Sequence, residues 1–324
     1  MRKYLSHSKK AACAALLGIL AAQGFATTAA RADNEVEKKI REEVSRRVSD
    51  AVSNRISDRL SGTPSGTDTL ENSAWITASY TSLTSDNSGL IEEAGAKFQS
   101  DVVNTTFGAD HRFGDSFFLG LSGSYTHAST DTDLIGFSDF KSEADNDSYT
   151  ISPYAAYVIT PNFFMSGLFS YTYSDAESET KFLGIKDTAS NNSQTFGTEI
   201  AANGVYDWDK WLFTGKAAWR FNYTELLDNE GGGDDDVHAN SAVLNAEVGY
   251  RFDRFLPYFQ VQYEHVWPEK FSGVKQGDND YVFLTGGLRA AITDTISAGA
   301  SVKAEVLNDE TNQVGGAAEF RVRF

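Results

Sequence analysis

The sequence predicts a transmembrane β-barrel of twelve antiparallel strands preceded by one charged helix. Three observations predict it. From residue 73 to the C-terminus apolar and polar residues alternate, the joints between alternating stretches are by turns very short and long, and no later stretch is apolar for long enough to be a spanning helix. Period-two alternation puts successive side chains on opposite faces of a strand. Backbone polar groups are satisfied in lipid only by helices and closed barrels, so such a chain crosses a bilayer with strands.

At the N-terminus, Arg2, Lys3, Lys9 and Lys10 precede the apolar run Ala11 to Phe25 and the small residues ending in Ala30, Arg31 and Ala32. Residues 1–32 read as a secretory signal peptide, because the run is too short for a spanning anchor. Cys13, the one cysteine, lies inside it and lacks the leucine three residues earlier that a lipoprotein signal carries. The chain beyond residue 32 therefore has no disulfide and is held by packing or by a hydrogen-bonded sheet. It carries 23 basic and 45 acidic residues, a net charge of −22 against −17 for the full chain. That acidity excludes a nucleic-acid footprint and a polybasic lipid patch.

Residues 33–60 form the next unit. From Asn34 to Leu60 there is no Gly or Pro, and Val36, Ile40, Val44, Val48, Val52, Ile56 and Leu60 recur at every fourth position. This predicts a helix with a thin apolar stripe that drifts around its surface. Its remaining face carries seven Lys/Arg and six Asp/Glu, nearly balanced. Two placements fit: inside the barrel, or in the periplasm as a spacer or coiled coil. Residues 61–72, rich in Gly, Pro, Ser and Thr, read as a linker.

Strands are expected near 73–82, 98–113, 116–129, 147–160, 162–174, 193–207, 210–224, 239–252, 255–267, 279–292, 295–307 and 312–324. The clearest puts Trp211, Phe213, Gly215, Ala217, Trp219, Phe221 and Tyr223 on one face. The last puts Phe320, Val322 and Phe324 on one face and Glu319, Arg321 and Arg323 on the other. A terminal strand of this kind closes onto the first, and its apolar row is expected to serve as the assembly signal.

Every short joint is flanked by bulky residues: Phe113 and Phe117, Ile159 and Phe163, Trp208 and Trp211, Phe252 and Phe255, Ile292 and Ile296. Such residues line up at one height, as a girdle at a membrane interface does. The other joints, around 83–97, 130–146, 175–192, 225–238 and 268–278, with a shorter one at 308–311, are polar and mostly acidic. Tight turns on one side and long loops on the other are the asymmetry of outer-membrane barrels, with both chain ends in the periplasm.

Parity through the strands places Arg112, Glu199, Lys216, Arg220, Glu247, Arg251, Gln260, Gln262, Glu264, Arg289, Lys303, Glu305, Glu319, Arg321 and Arg323 on the inner face. This lumen is polar and carries both signs. Arg41, Arg46, Arg47, Arg55 and Arg59 of the helix could meet Glu199, Glu247, Glu264, Glu305 or Glu319, while Glu42, Glu43 and Asp50 could meet Arg220, Arg251, Arg289 or Arg321. Such wet pairs would loosen in salt. The lumen read in this way offers the valine stripe no apolar groove.

In its helix, linker, twelve alternating strands, the segment GYRFDRFLPYFQVQYEHVW and the terminal RVRF, the sequence resembles the translocator domain of autotransporters over residues 34–324. The resemblance implies a barrel that carries an N-terminal passenger to the cell surface and retains the helix in its lumen. The chain departs from that pattern in having no sizeable passenger, and its helix has no Asn-Asn pair of the kind at which some members cut themselves. The expected partners are the outer-membrane bilayer and its assembly machinery, for a monomer that binds no nucleic acid. The alternative reading is a general diffusion pore with a periplasmic helix.

Chemistry is sparse. His127 and Ser129 share the outward face of one strand, a spacing that outer-membrane lipid hydrolases use, but Thr130 follows and no third group can be assigned. Asp228 to Asp236 is an acidic loop that fits no EF-hand spacing, so solvated acidity explains it. His7, His111, His238 and His265 are scattered, and no phosphate loop or Cys/His metal pattern is present. No catalysis and no cofactor are expected.

Overall fold

A computed structural model describes residues 43–52, 54–56, 71–85, 96–134, 140–182, 185–227, 237–267, 279–308 and 311–324. The signal peptide expected at 1–32 and the linker at 61–70 lie outside the described residues. The alternating stretches form β1 (Asn72–Ser85), β2 (Ala96–Phe113), β3 (Phe117–Leu134), β4 (Phe140–Thr160), β5 (Phe163–Phe182), β6 (Ile185–Trp208), β7 (Trp211–Leu226), β8 (Val237–Tyr250), β9 (Phe255–Trp267), β10 (Asp280–Ala291), β11 (Ile296–Val306) and β12 (Asn312–Arg323). Each pairs antiparallel with its sequence neighbours, and β1 pairs with β12, so the sheet is a closed barrel. The seam runs from Ser73 opposite Arg323 to Thr84 opposite Asn312. At its end Asn72 and Phe324 exchange two N–H···O bonds of 3.1 Å. Closure leaves no unpaired ladder in lipid.

Period-two patterning becomes burial. In β4 the even-numbered residues Ser148, Thr150, Ser152, Tyr154 and Ala156 are buried, while Tyr149, Ile151 and Tyr157 are exposed. Outward side chains around the wall stay exposed although they are large and apolar, as Phe107 (58%), Leu244 (54%) and Val302 (61%) illustrate. A continuous apolar belt of this extent belongs in hydrocarbon. No helix among the described residues is long and apolar enough to cross a membrane. Bulky residues flank the tight turns as expected, with Phe113 and Phe117 rings 5.9 Å apart and Trp211 edge-on to Tyr250 at 5.0 Å. The turns need left-handed backbone, supplied by Gly114 (φ 60), Asp209 (φ 54) and Asp253 (φ 52); Gly adopts it freely and Asp tolerates it. β8 stops at Tyr250, short of the expected residue 252, and a single bridge between Phe252 and Phe255 closes that turn.

Two expected loops are mostly strand. At 130–146, β3 continues to Leu134 and β4 begins at Phe140; at 175–192, β5 and β6 remain paired up to Phe182 opposite Ile185. Beyond the lipid both faces meet water, so the apolar half of the alternation vanishes while the ladder continues. Inner-face hydroxyls bond across it, Ser148 to Ser174 at 2.8 Å, Thr150 to Thr172 at 2.8 Å and Ser142 to Thr180 at 3.1 Å. Near the tip Lys186 and Lys181 hydrogen-bond Glu179 at 2.6 and 2.9 Å and hold its carboxyl below the usual range. The barrel is therefore lopsided: β4 to β6 have 21, 20 and 24 residues, and β10 to β12 have 12, 11 and 12.

Val322 faces outward opposite Ala74 of β1 and Ile296 of β11. Val322→Asp puts a charge on the lipid face, at about 2–4 kcal/mol near the midplane and less toward the interface. Reduced insertion is expected, and more so on deleting Phe324, which removes both seam hydrogen bonds to Asn72 as well. The fraction of heat-modifiable protein in the membrane, compared with wild type, measures it.

Candidate functional site

The barrel encloses a helix, α1 (residues 43–52 and 54–56), drawn from the charged N-terminal segment. The every-fourth stripe decides which side it presents. Val44, Val48, Val52 and Ile56 are 0–3% exposed. Val52 and Ile56 join Trp75, Phe118, Tyr154, Phe164, Leu168, Leu212 and Leu256 in one cluster, and Val44 joins Leu83, Phe98, Val102 and Ala128 in another. Fully burying each such side chain stabilises by about 1.5–3 kcal/mol. The expectation that the lumen has no apolar groove is thus wrong. Near the turns the inward positions of β1, β3, β4, β5, β7 and β9 include the large apolar or aromatic residues Trp75, Phe118, Tyr154, Phe164, Leu212 and Leu256, so parity judged by charge alone passes over them.

The direction of α1 follows from its contacts. Glu43 and Arg46 meet Gln313 and Glu264, near the long-loop ends of β12 and β9. Arg55 meets Ser73 and Asp110, near the tight-turn ends of β1 and β2. α1 thus runs from the long-loop mouth toward the turn side.

Charged rungs fix its depth. Asp50 accepts hydrogen bonds from Arg220 at 2.6 Å and from Lys303 at 2.9 Å, on strands four apart in the wall. Arg220 also donates to Glu199 at 2.6 Å, and the Lys216 ammonium lies 3.4 Å from the same carboxylate. Arg46 donates to Glu264 at 2.9 Å, and its guanidinium lies 5.1 Å from the Tyr281 ring centre. Ser45 donates to Asn222 at 2.8 Å.

Two pairs expected from the sequence are therefore present, Arg46 with Glu264 and Asp50 with Arg220. Arg47 instead pairs with Glu43 within the helix, and Arg41, Glu42 and Arg59 lie outside the described residues. Other wall residues pair among themselves or with the rim: Arg289 with Glu247 at 2.6 Å, Arg321 with Glu319 at 2.9 Å, and Arg251 with Asp207 at 2.6 Å. Glu305 accepts from Asn308 and Thr311. Arg323 is buried at the seam opposite Ser73, and Arg112 donates to the Gly114 and Asp115 carbonyls at the turn rim.

The most buried ion pair among the described residues lies outside the expected set. Arg55 (1% exposed) donates to Asp110 through Nε at 2.9 Å and Nη2 at 3.1 Å, and also to Ser73 Oγ. Ser73 donates to Asp110 at 2.6 Å, Tyr154 donates to it at 3.2 Å, and Trp75 Nε1 donates to the Tyr154 hydroxyl at 3.0 Å. One carboxylate thus ties α1 to β1, β2 and β4. Two glycines make room: a Cβ on Gly120 would sit 2.2 Å from the Tyr154 ring, and one on Gly108 would sit 2.7 Å from Trp75. Asp110 was legible by parity, since it shares a face with Arg112 two residues on. On the opposite flank α1 leaves cavities of about 90 and 70 Å³ against Thr77, Ser301 and Ala317.

The outward pair His127 and Ser129 does gain a third group. Asp147 Oδ1 lies 3.0 Å from His127 Nδ1 and accepts the Tyr125 hydroxyl at 2.7 Å. The same unit recurs across the barrel, where Asp280 binds His265 Nδ1 at 2.8 Å and the Tyr263 hydroxyl at 2.5 Å, with Trp267 where Ser129 would stand. Recurrence without the serine points to an interfacial hydrogen-bonding device rather than a nucleophile site. The acidic stretch Asp228 to Asp236 lies outside the described residues. Among the described residues, no group of three or more His, Cys, Asp or Glu could hold a metal ion.

A closed twelve-stranded barrel with an apolar exterior and a charged lumen occupied by a helix is an integral outer-membrane barrel of the translocator kind. The family model for the autotransporter beta-domain matches residues 74–303. The chain belongs to that family, and is an outer-membrane translocator barrel of autotransporter type. Its fold is similar to the β-domain of the Bordetella autotransporter BrkA (15% identity, 78% of this chain and 100% of that one, TM-score 0.61). It is also similar to the AIDA-I transport unit from Escherichia coli (17%, 78% and 90%, 0.61) and to the NalP translocator domain from Neisseria meningitidis (11%, 86% and 97%, 0.63). No curated protein matches the sequence.

Proposed function

We propose that this translocator barrel keeps α1 in its lumen as a plug and holds the segment preceding α1 on the cell surface. The observation that carries this reading is the direction of the helix: Glu43 at the long-loop mouth, Arg55 at the turn side. Whatever precedes residue 43 is then outside the cell. A general diffusion pore has no use for a helix that buries Val44, Val48, Val52 and Ile56 against the lumen wall and locks Asp50 between Arg220 and Lys303. In this reading residues 1–32 direct export, and the outward row Phe320, Val322 and Phe324 engages the assembly machinery. The barrel works as a monomer without catalytic chemistry, and its lumenal charges serve to seat the helix.

An epitope inserted between Asp33 and Asn34 tests the topology. Antibody is expected to label intact cells as strongly as permeabilised ones. Labelling that needs permeabilisation places the segment in the periplasm and overturns the reading.

A further inference from the structure

Two faces of α1 meet different surroundings. The stripe from Val44 to Ile56 packs into apolar pockets, whereas Arg47, Asp50, Ala51 and Asn54, spaced three and four apart, share a second face. Opposite that face the wall is made of small residues: Thr77 of β1, Gly299 and Ser301 of β11, Gly315 and Ala317 of β12. Small side chains on both sides leave a gap. The cavities of about 90 and 70 Å³ found there share Ala51, Asn54, Thr77, Tyr258, Ser301 and Ala317, so they form one slot. Along β12 it runs from Gly315, opposite Thr81 and Lys303, to Glu319, opposite Thr77 and Gly299, about 13 Å of strand.

The lining is polar. Gln262, 4% exposed, contributes an amide nitrogen that has no hydrogen-bond partner, and buried polar groups of that kind are met by ordered water. The two ends of the slot differ. Toward the turns Thr77, Ser301, Ala317 and Glu319 are partly exposed and Asn54 is exposed, whereas toward the long loops Thr81, Glu305, Gln313 and Gly315 are buried. Arg47 lies at the buried end. A Cβ on Gly315 would sit 3.3 Å from Arg47 Nη2, so the guanidinium rests on bare backbone. Arg47 Nε donates to Glu43 at 2.5 Å, and Glu43 also accepts from Arg46 at 2.8 Å and from Gln313, which fixes the guanidinium across the gap between α1 and β12.

We propose that the slot is a water-filled vestibule entered from the turn side, and that Arg47 is the residue that closes it toward the long loops. It holds roughly ten waters at the volume one water needs. This rests on α1 being the plug, and adds that the plug is sealed at one level on this flank instead of along its length. Seating and sealing are then separable, because the valine stripe and the bonds of Asp50 to Arg220 and Lys303 hold α1 whatever stands at position 47.

Single-barrel conductance in planar bilayers tests the seal. Arg47→Ala is expected to conduct several-fold more than the intact chain and well below a chain starting at Ser61, because water then continues past Gly315 while α1 stays seated. Arg47→Met, which restores the length of the side chain without its charge, should conduct as the intact chain does. Cys13 is the one cysteine and lies in the segment expected to direct export, so an introduced thiol reacts alone. In Arg47→Ala combined with Ser301→Cys, aminoethyl methanethiosulfonate should remove most of the added current; combined with Val243→Cys, a fully buried position, it should remove none. Arg47→Ala conducting like the intact chain, Arg47→Met leaking like Arg47→Ala, or a reagent without effect at Ser301→Cys would each overturn the proposal. So would an Arg47→Ala current equal to that of the chain starting at Ser61, since Arg47 would then seat the helix instead of filling the slot. Failure of the plug itself reads differently: the intact chain and the chain starting at Ser61 would conduct alike.

Discussion

Asp110→Ala is expected to destabilise the folded barrel by about 3–5 kcal/mol, the range for removing one partner of a buried ion pair. The pair is 1% exposed on the arginine side and fully buried on the other. Among the described residues Arg55 forms an ion pair with no second carboxylate: Ser73 offers one hydroxyl, and Arg55 Nη1 already has no hydrogen-bond partner. Losing Asp110 also strands the hydroxyls of Ser73 and Tyr154, which both donate to it. Combining Asp110→Ala with Arg55→Met removes the uncompensated charge and fills its space with an apolar chain, so the double variant should recover much of the loss. Urea unfolding in lipid vesicles, followed by heat-modifiable migration, measures both. A double variant no better than Asp110→Ala alone would mean that the pair does not act as a unit.

The number of strands, the tight turns and the closing seam were legible because lipid outside and polar lumen inside impose period two on every residue of the belt. Trp211 to Tyr223 carries that signal without interruption. It fails where the two faces meet the same medium. Above the belt water lies on both sides, and the polar extension from Ser174 to Lys181 therefore reads as loop although its ladder stays intact. Near the turns the inner face is apolar as well, and Phe118 beside Phe117, or Phe164 beside Phe163, gives parity nothing to discriminate. The pocket for the valine stripe is built from those residues. Charge complementarity fared better where a rung joins the helix to the wall near mid-barrel, as at Asp50. It misassigned Arg55, whose partner Asp110 follows Gly108 and Ala109, a stretch with too little apolar contrast for its alternation to stand out.

Removing α1 is the change with the largest expected effect on transport. A chain that starts at Ser61 after its export signal leaves a lumen without the helix, which is about 10 Å across with its side chains, and single-channel conductance should rise at least several-fold. The same comparison bears on how the plug is held. Wet surface pairs would be screened by salt and would release the helix as ionic strength rises. The observed pairs are largely buried: Arg220 is 4% exposed at its side chain, Glu199 4% and Glu264 5%, and the stripe from Val44 to Ile56 binds by a hydrophobic term that salt does not weaken. The intact barrel should therefore stay closed from low to high salt, its small residual current scaling only with the conductivity of the bath. Val52→Asp, which places a carboxylate at a fully buried position against Leu256 and Tyr154, should open it without any change in salt. If the intact chain and the one starting at Ser61 conduct alike, α1 does not close the pore, and the long-loop mouth gives onto an open channel.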